Sequence, residues 1–310
     1  MKSKGKALLW TALYMALAFI FPVLVVLIFA IVVFLIALTG GITDNSSAML
    51  EYVEIIQDVM TNSGSLMLLN GLSELLMLVC FGLWYYFREH KYTFRPNYRQ
   101  AFSAKNVLSI LGLGLFGQMA VNLIIMLVYL VLPGIFKSYE ELAENFELDT
   151  LPPAVMLFMV CLLGPLAEEM IFRGMIYGKL RRAFSLWPAA WISGLLFGIF
   201  HMNLVQGIYA TLFGVILAYI YERTQTIWGC TLLHCVFNAS SYLAEEVEGV
   251  LGTGLVPEGV AGIGFLLFEI VSVVFIFLLL RRFRVTTKGK ISVTDSGAVD
   301  KNSDKIDGLS

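Results

Sequence analysis

Charge is scarce in this chain of 310 residues: 14% are Asp, Glu, Lys or Arg against 58% hydrophobic, and the mean hydropathy is +0.81. A soluble domain carries roughly 25% charged residues, so a water-facing globule is excluded. Cysteine is scarce as well. Cys80, Cys161, Cys230 and Cys235 lie in or beside apolar runs with no C-x-x-C spacing, which argues against a disulfide framework or a cysteine zinc cluster and leaves four small apolar side chains. Histidine occurs only three times. The net charge of −2 gives no reason to expect a nucleic-acid partner, and no repeat of solenoid or transporter period is evident.

Long apolar runs are what the chain has in abundance. A hydrocarbon core ~30 Å thick takes about 20 apolar residues, and about eight segments qualify: 7–38, 65–86, 107–132, 153–178, 187–203, 204–221, 227–243 and 259–280. The first is too long for the apolar part of a signal peptide and no small-residue cleavage site follows it, so it reads as a retained span that is tilted or overruns the interface. The expected fold class is all-α, a polytopic transmembrane bundle whose first partner is the lipid bilayer.

Basic residues collect on the cytoplasmic side of membrane proteins, and this chain alternates accordingly. Lys2, Lys4 and Lys6 precede the first span, Arg88 to Lys105 follow the second, Lys179 to Arg182 follow the fourth, and Arg281, Arg282 and Arg284 follow the last. The acidic clusters Asp44 to Asp58, Glu140 to Asp149 and Glu245 to Glu248 fall between them. Both termini are therefore expected in the cytoplasm. Of the 21 basic residues only Lys137, in an outer loop, and Arg173, inside a span, break the pattern. The organisation read from this is three spans with loops over 1–150, a core over 151–245, an outer loop and final span over 246–284, and a polar tail over 285–310 without aromatics, expected to be disordered.

Ionisable groups inside spans are costly and mark cavities or partners. They are Glu74, Glu168, Glu169, Arg173, His201, His234 and Glu269. Glu169 and Arg173 are four apart, so they stack on one helix face as a charge-assisted pair that supports structure. Glu168 is turned about 100° away and needs another partner. His201, or His234 with Asn238 one turn further on, can supply it. Each histidine alone could equally be an interhelical bridge, and Glu74 and Glu269 are read as such bridges, or as the lining of a transport path.

A carboxylate, two imidazoles and an amide in a dry pocket suit hydrolysis of an amide bond. A glutamate can act as base on water, a histidine can orient it or bind a metal, and an asparagine amide can donate to an oxyanion. Other intramembrane protease chemistries lack their residues: there is no H-E-x-x-H, Ser193 in "WISG" lacks the leading glycine of G-x-S-G, and no span contains aspartate. The ordered motifs E-E-x-x-x-R at Glu168, Glu169 and Arg173, F-x-x-x-H at Phe197 and His201, and H-x-x-x-N at His234 and Asn238 resemble the CPBP family. These are the type II CAAX prenyl endopeptidases with their bacteriocin-processing and immunity relatives. The resemblance covers about 150–245 and implies a catalytic core there, in which Glu168 and His201 activate water while His234 and Asn238 hold the oxyanion. It implies cleavage of a membrane-associated or lipidated peptide or protein, in the plasma membrane of a bacterium or the endoplasmic reticulum of a eukaryote. A non-proteolytic binding or immunity protein, and less readily a transporter, are the alternatives. Glu168, His201 and His234 are also a legitimate zinc set, so the cofactor expectation is none or a divalent metal.

Helix rise places these groups in depth. Counted from the basic end at ~1.5 Å per residue, Glu168 lies ~16 Å in, His201 ~21 Å, His234 ~10 Å and Asn238 ~16 Å. They are expected to converge on one wet cavity, opening towards the basic side.

Overall fold

Lipid offers no water to satisfy a backbone, so a spanning chain must close its hydrogen bonds within helices or a closed barrel. The computed structural model describes residues 4–39, 45–89, 97–137, 151–250 and 258–283, and among these there is no strand. The helices are α1 Lys4–Thr39, α2 Asn45–Thr61, α3 Ser63–Trp84 with a π-helical continuation Tyr85–Glu89, α4 Tyr98–Ala101 and α5 Ala104–Val131. They continue with α6 Pro153–Arg181, α7 Leu186–Phe200, α8 Leu204–Thr224, α9 Ile227–Val250 and α10 Glu258–Arg282. Six of them, α1, α3, α5, α6, α8 and α10, contain stretches long and apolar enough to cross a membrane. The protein is an integral, multi-pass membrane protein.

Two departures from expectation are informative. The segment read as an outer acidic loop holds α2, because 45–61 contains no Gly or Pro and its acidic positions Glu51, Glu54 and Asp58 recur at helical spacing. Asn62 then caps α3, its side chain accepting from the Ser65 N–H at 2.8 Å. The segment expected as 187–203 ends earlier, at Phe200, since His201 to Asn203 form the turn into α8 and Met202 takes a left-handed φ of 55°. At 15 residues α7 is short for a span. The acidic stretch Glu140 to Asp149 and the tail 285–310 lie outside the described residues.

The C-terminal ends of α3, α6, α8 and α10 gather at one end of the bundle with the start of α1. Lys179 and Arg182 both bond Glu89, the lysine at 2.7 Å. Arg181 grips Glu222 through Nε and Nη2 at 2.9–3.1 Å, and the Tyr177 hydroxyl donates to the same carboxylate at 2.8 Å. Tyr219 donates to the carbonyl of Leu280 at 3.3 Å, while Lys4 sits over Phe184. This is the basic end.

Helix α6 is the axis of the molecule: Ile171, Phe172, Met175, Ile176 and Tyr177 are fully buried. By contrast α1 and α10 present rows of exposed Leu, Ile, Val and Phe, the surface a bilayer covers. The hairpin of α7 and α8 is packed backbone to backbone through small residues, as helices in lipid commonly are. A Cβ on Gly198 would collide with Thr211 Oγ1 and with the Gly207 carbonyl oxygen. Gly198→Ala is therefore expected to cost ~1–3 kcal/mol as an overpacked contact, read as a lower unfolding midpoint in bilayer discs. An unchanged midpoint would mean that the two helices separate freely.

Candidate active site

The site begins with an irregularity that the sequence writes into α6. Two stretches, Met159–Leu163 and Met170–Tyr177, are wound as π-helix, a form that concentrates at functional positions. The first has a visible cause. The Gly164 N–H bonds Met159 O, and the next donor in the ladder is missing because residue 165 is proline. The Val160 carbonyl is thereby left over, and Asn238 of α9 donates its Nδ2–H to it at 2.8 Å. One of the two amide hydrogens of Asn238 is thus committed to structure, and α9 is tied to α6 at the level of the site.

Glu169 is fully buried and accepts two bonds at one oxygen, from Arg173 Nη1 at 2.9 Å and from His234 Nδ1 at 3.0 Å. Arg173, equally buried, also donates to the Gly214 carbonyl at 3.2 Å and lies 4.7 Å from the Phe197 ring centre. The expected pair is present, but it is not isolated: it clamps His234. Because Glu169 accepts from Arg173 as well, Nδ1 is the protonated nitrogen of His234 and Nε2 is left facing Glu168, whose Oε2 is 3.6 Å away. That is too long for a hydrogen bond. The helical rotation separating Glu168 from Glu169 is real, yet an imidazole carries nitrogens on two edges, so His234 bonds Glu169 with one and turns the other towards Glu168.

His201 caps the end of α7, its Nδ1 donating to the Phe197 carbonyl at 2.8 Å. A carbonyl can only accept, so the neutral ring keeps its lone pair on Nε2. The next residues set the turn: Asn203 caps α8 by accepting from the Gln206 N–H at 2.9 Å.

Glu168, His201, His234 and Asn238 all line one cavity of about 240 Å³ between α3, α6, α7, α8 and α9. Glu168 is 16% exposed and His234 6% by side chain, so the carboxylate is the more open partner. All four residues selected from the sequence are brought together, and Glu169 and Arg173 stand directly behind them. The cavity also receives Glu74, which the sequence reading takes as an interhelical bridge or a transport group. Its described partner is Asn70 on its own helix, Nδ2 to Oε1 at 2.8 Å, a pairing that the i, i+4 spacing could have signalled. Glu269 lies on α10, away from this cavity.

The cavity does not face the way charge placement suggests. On α6, the residues that follow Glu168 towards the basic end, Glu169, Arg173, Met175 and Tyr177, are fully buried. The cavity's lining includes Met67 and exposed Asn70, which lie on α3 ~28–33 Å from Glu89 by helix rise. The expectation rests on the basic rim and on the shallow positions of His234 and Asn238, but the His234 ring is backed by the buried Glu169–Arg173 pair. As for a metal, no three His, Cys, Asp or Glu side chains come together as a metal-binding group among the described residues.

Comparisons with known proteins agree with the motif reading. Residues 150–240 match the family model described as Type II CAAX prenyl endopeptidase Rce1-like. A Bacillus subtilis (strain 168) protein named "Putative membrane peptidase YdiL" is 31% identical over 105 residues, which is 34% of this chain and 43% of that protein. The match thus spans less than half the length of that relative. No solved structure matches the chain significantly.

Proposed function

We propose that this chain is an intramembrane endopeptidase that hydrolyses a peptide bond of a membrane-associated or lipidated peptide or protein, using water activated by Glu168. The observation that carries the reading is the convergence of Glu168, His201, His234 and Asn238 on one cavity walled by membrane helices. The named activities of the matching family and of the Bacillus subtilis relative point to the same reaction.

In this reading a water sits between Glu168 and the Nε2 lone pair of His201, donating a hydrogen to each. Glu168 takes the proton as the water oxygen adds to the carbonyl carbon. The second amide hydrogen of Asn238, left over after Val160, points a donor at the developing oxyanion. His234 adds a second donor at Nε2 when its ring is protonated, and the Glu169 bond at Nδ1 holds the ring in place for that. Every group in this sequence of steps belongs to the chain itself.

The reading is tested by comparing newly formed protein termini in cells carrying the native protein and cells carrying Glu168→Gln. Termini at membrane-proximal positions are expected to disappear in the variant, and they identify the substrate. If the two sets of termini coincide while a deletion phenotype is rescued by Glu168→Gln, the cavity binds without cleaving.

A further inference from the structure

Four polar side chains serve the reaction proposed above, and among those they leave unused in the same cavity Glu74 is the one acid. Glu74 Oε1 is held by Asn70, which leaves Oε2 for the cavity. The carboxylate rests on bare backbone: a Cβ built on Gly164 would be 3.3 Å and 3.4 Å from its two oxygens. Gly164 is one α-helical turn before Glu168 on the same face. The absence of a side chain at 164 is therefore what lets Glu74 come down beside Glu168, and the close contact of Gly71 with Met159 draws α3 against α6 at the same level. The other polar groups lining the cavity are Gln206 and Tyr209 of α8, His201, and His234 with Asn238 of α9, and no Lys or Arg is among them.

A scissile amide has few atoms to offer. Its carbonyl oxygen is already offered the donors of Asn238 and His234, and its carbonyl carbon is met by the water. The one remaining hydrogen-bonding group is the N–H of the departing amine. Resting on the protease reading, we propose that Glu74 is the leaving-group residue, its Oε2 accepting the N–H of the scissile bond. The nitrogen lone pair is then turned towards Glu168. When the C–N bond breaks, its electron pair stays on nitrogen, which takes from Glu168 the proton that came from water. The products are a free carboxyl, carrying the water oxygen, and an amine. Glu168 returns to its starting state and Glu74 is unchanged.

The inference predicts a dependence on the leaving group. A peptide found by the terminus comparison and its depsipeptide, in which the scissile N–H is replaced by oxygen, are assayed with purified protein in bilayer discs. Glu74→Leu should lower kcat for the peptide by about 3- to 10-fold, the worth of one buried hydrogen bond. It should leave the depsipeptide, which has no N–H to hold, cleaved at the native rate. Glu74→Gln keeps an acceptor oxygen and should fall between the two, and it serves where the leucine variant does not fold. Glu168→Gln should stop both reactions. Equal loss on peptide and depsipeptide, or no loss on either, overturns the role of Glu74 while leaving the protease reading standing. Cleavage of both by Glu168→Gln removes that reading itself.

Discussion

Glu168→Gln is expected to lower peptide cleavage by about four orders of magnitude, at the upper end of what a positioned base contributes, while the protein stays folded in the membrane. The two halves of this expectation have separate causes. The amide cannot take the proton of water, so the attacking oxygen never gains hydroxide character. The fold survives because Glu168 is the open member of the cluster: it is 16% exposed, and its nearest ring nitrogen, His234 Nε2, lies at 3.6 Å, beyond bonding distance. Glutamine is of the same size, so no void is created. Purified native and variant proteins in bilayer discs should have the same unfolding midpoint and very different kcat. A variant with native kcat removes Glu168 from the mechanism. In the same preparation the cleavage activity of the native protein is expected to survive exhaustive chelation. Stoichiometric zinc that leaves together with activity would replace the glutamate mechanism with a metal one.

The helices are legible in the sequence because lipid forces the apolar pattern: a run of about 20 apolar residues has hardly any alternative to a helix. Even the start of α6 at Pro153 follows from proline suiting the first helical turn. Helix α2 is not legible in this way because it is polar, and hydropathy registers only what the bilayer covers. At the site, Glu168, His201 and His234 can be picked out because an ionisable group in a span needs a reason to be there, and Asn238 because it follows His234 by one turn. The direction of the cavity cannot, since depth along the helix places a residue but says nothing of what roofs it. Two further relations are hidden for geometric reasons. That His234 bonds Glu169 while facing Glu168 depends on the imidazole having two nitrogens, which no spacing rule contains. That Asn238 spends one hydrogen on Val160 depends on the missing N–H of Pro165, a signal present in the sequence but intelligible only once the π turn and the approach of α9 are known.

The buried pair behind the site separates folding from catalysis. Arg173→Met should destabilise the protein by ~3–5 kcal/mol, because it leaves the Glu169 carboxylate without its cation in a fully buried position. Against a typical total of ~5–15 kcal/mol that is a large share, and a sharply lower unfolding midpoint in bilayer discs is the expected reading. The loss comes from one unpaired charge, so removing the charge should restore much of it. In Glu169→Gln/Arg173→Met the site holds an amide beside an apolar chain, a replacement of the kind that is often neutral for buried ion pairs. The midpoint should rise well above that of Arg173→Met alone. Activity should not follow it back. The introduced amide oxygen can still accept from His234 Nδ1, but as a neutral group with no guanidinium to fix its orientation, so the imidazole is held less firmly at the cavity wall. Outer-shell changes of this kind around histidine ligands cost about 10- to 100-fold in function, and a kcat loss of similar size is expected here at recovered stability. If the double variant regained both stability and rate, the pair would be scaffolding alone; if it regained neither, the guanidinium would be needed for packing through Gly214 and Phe197 rather than for its charge.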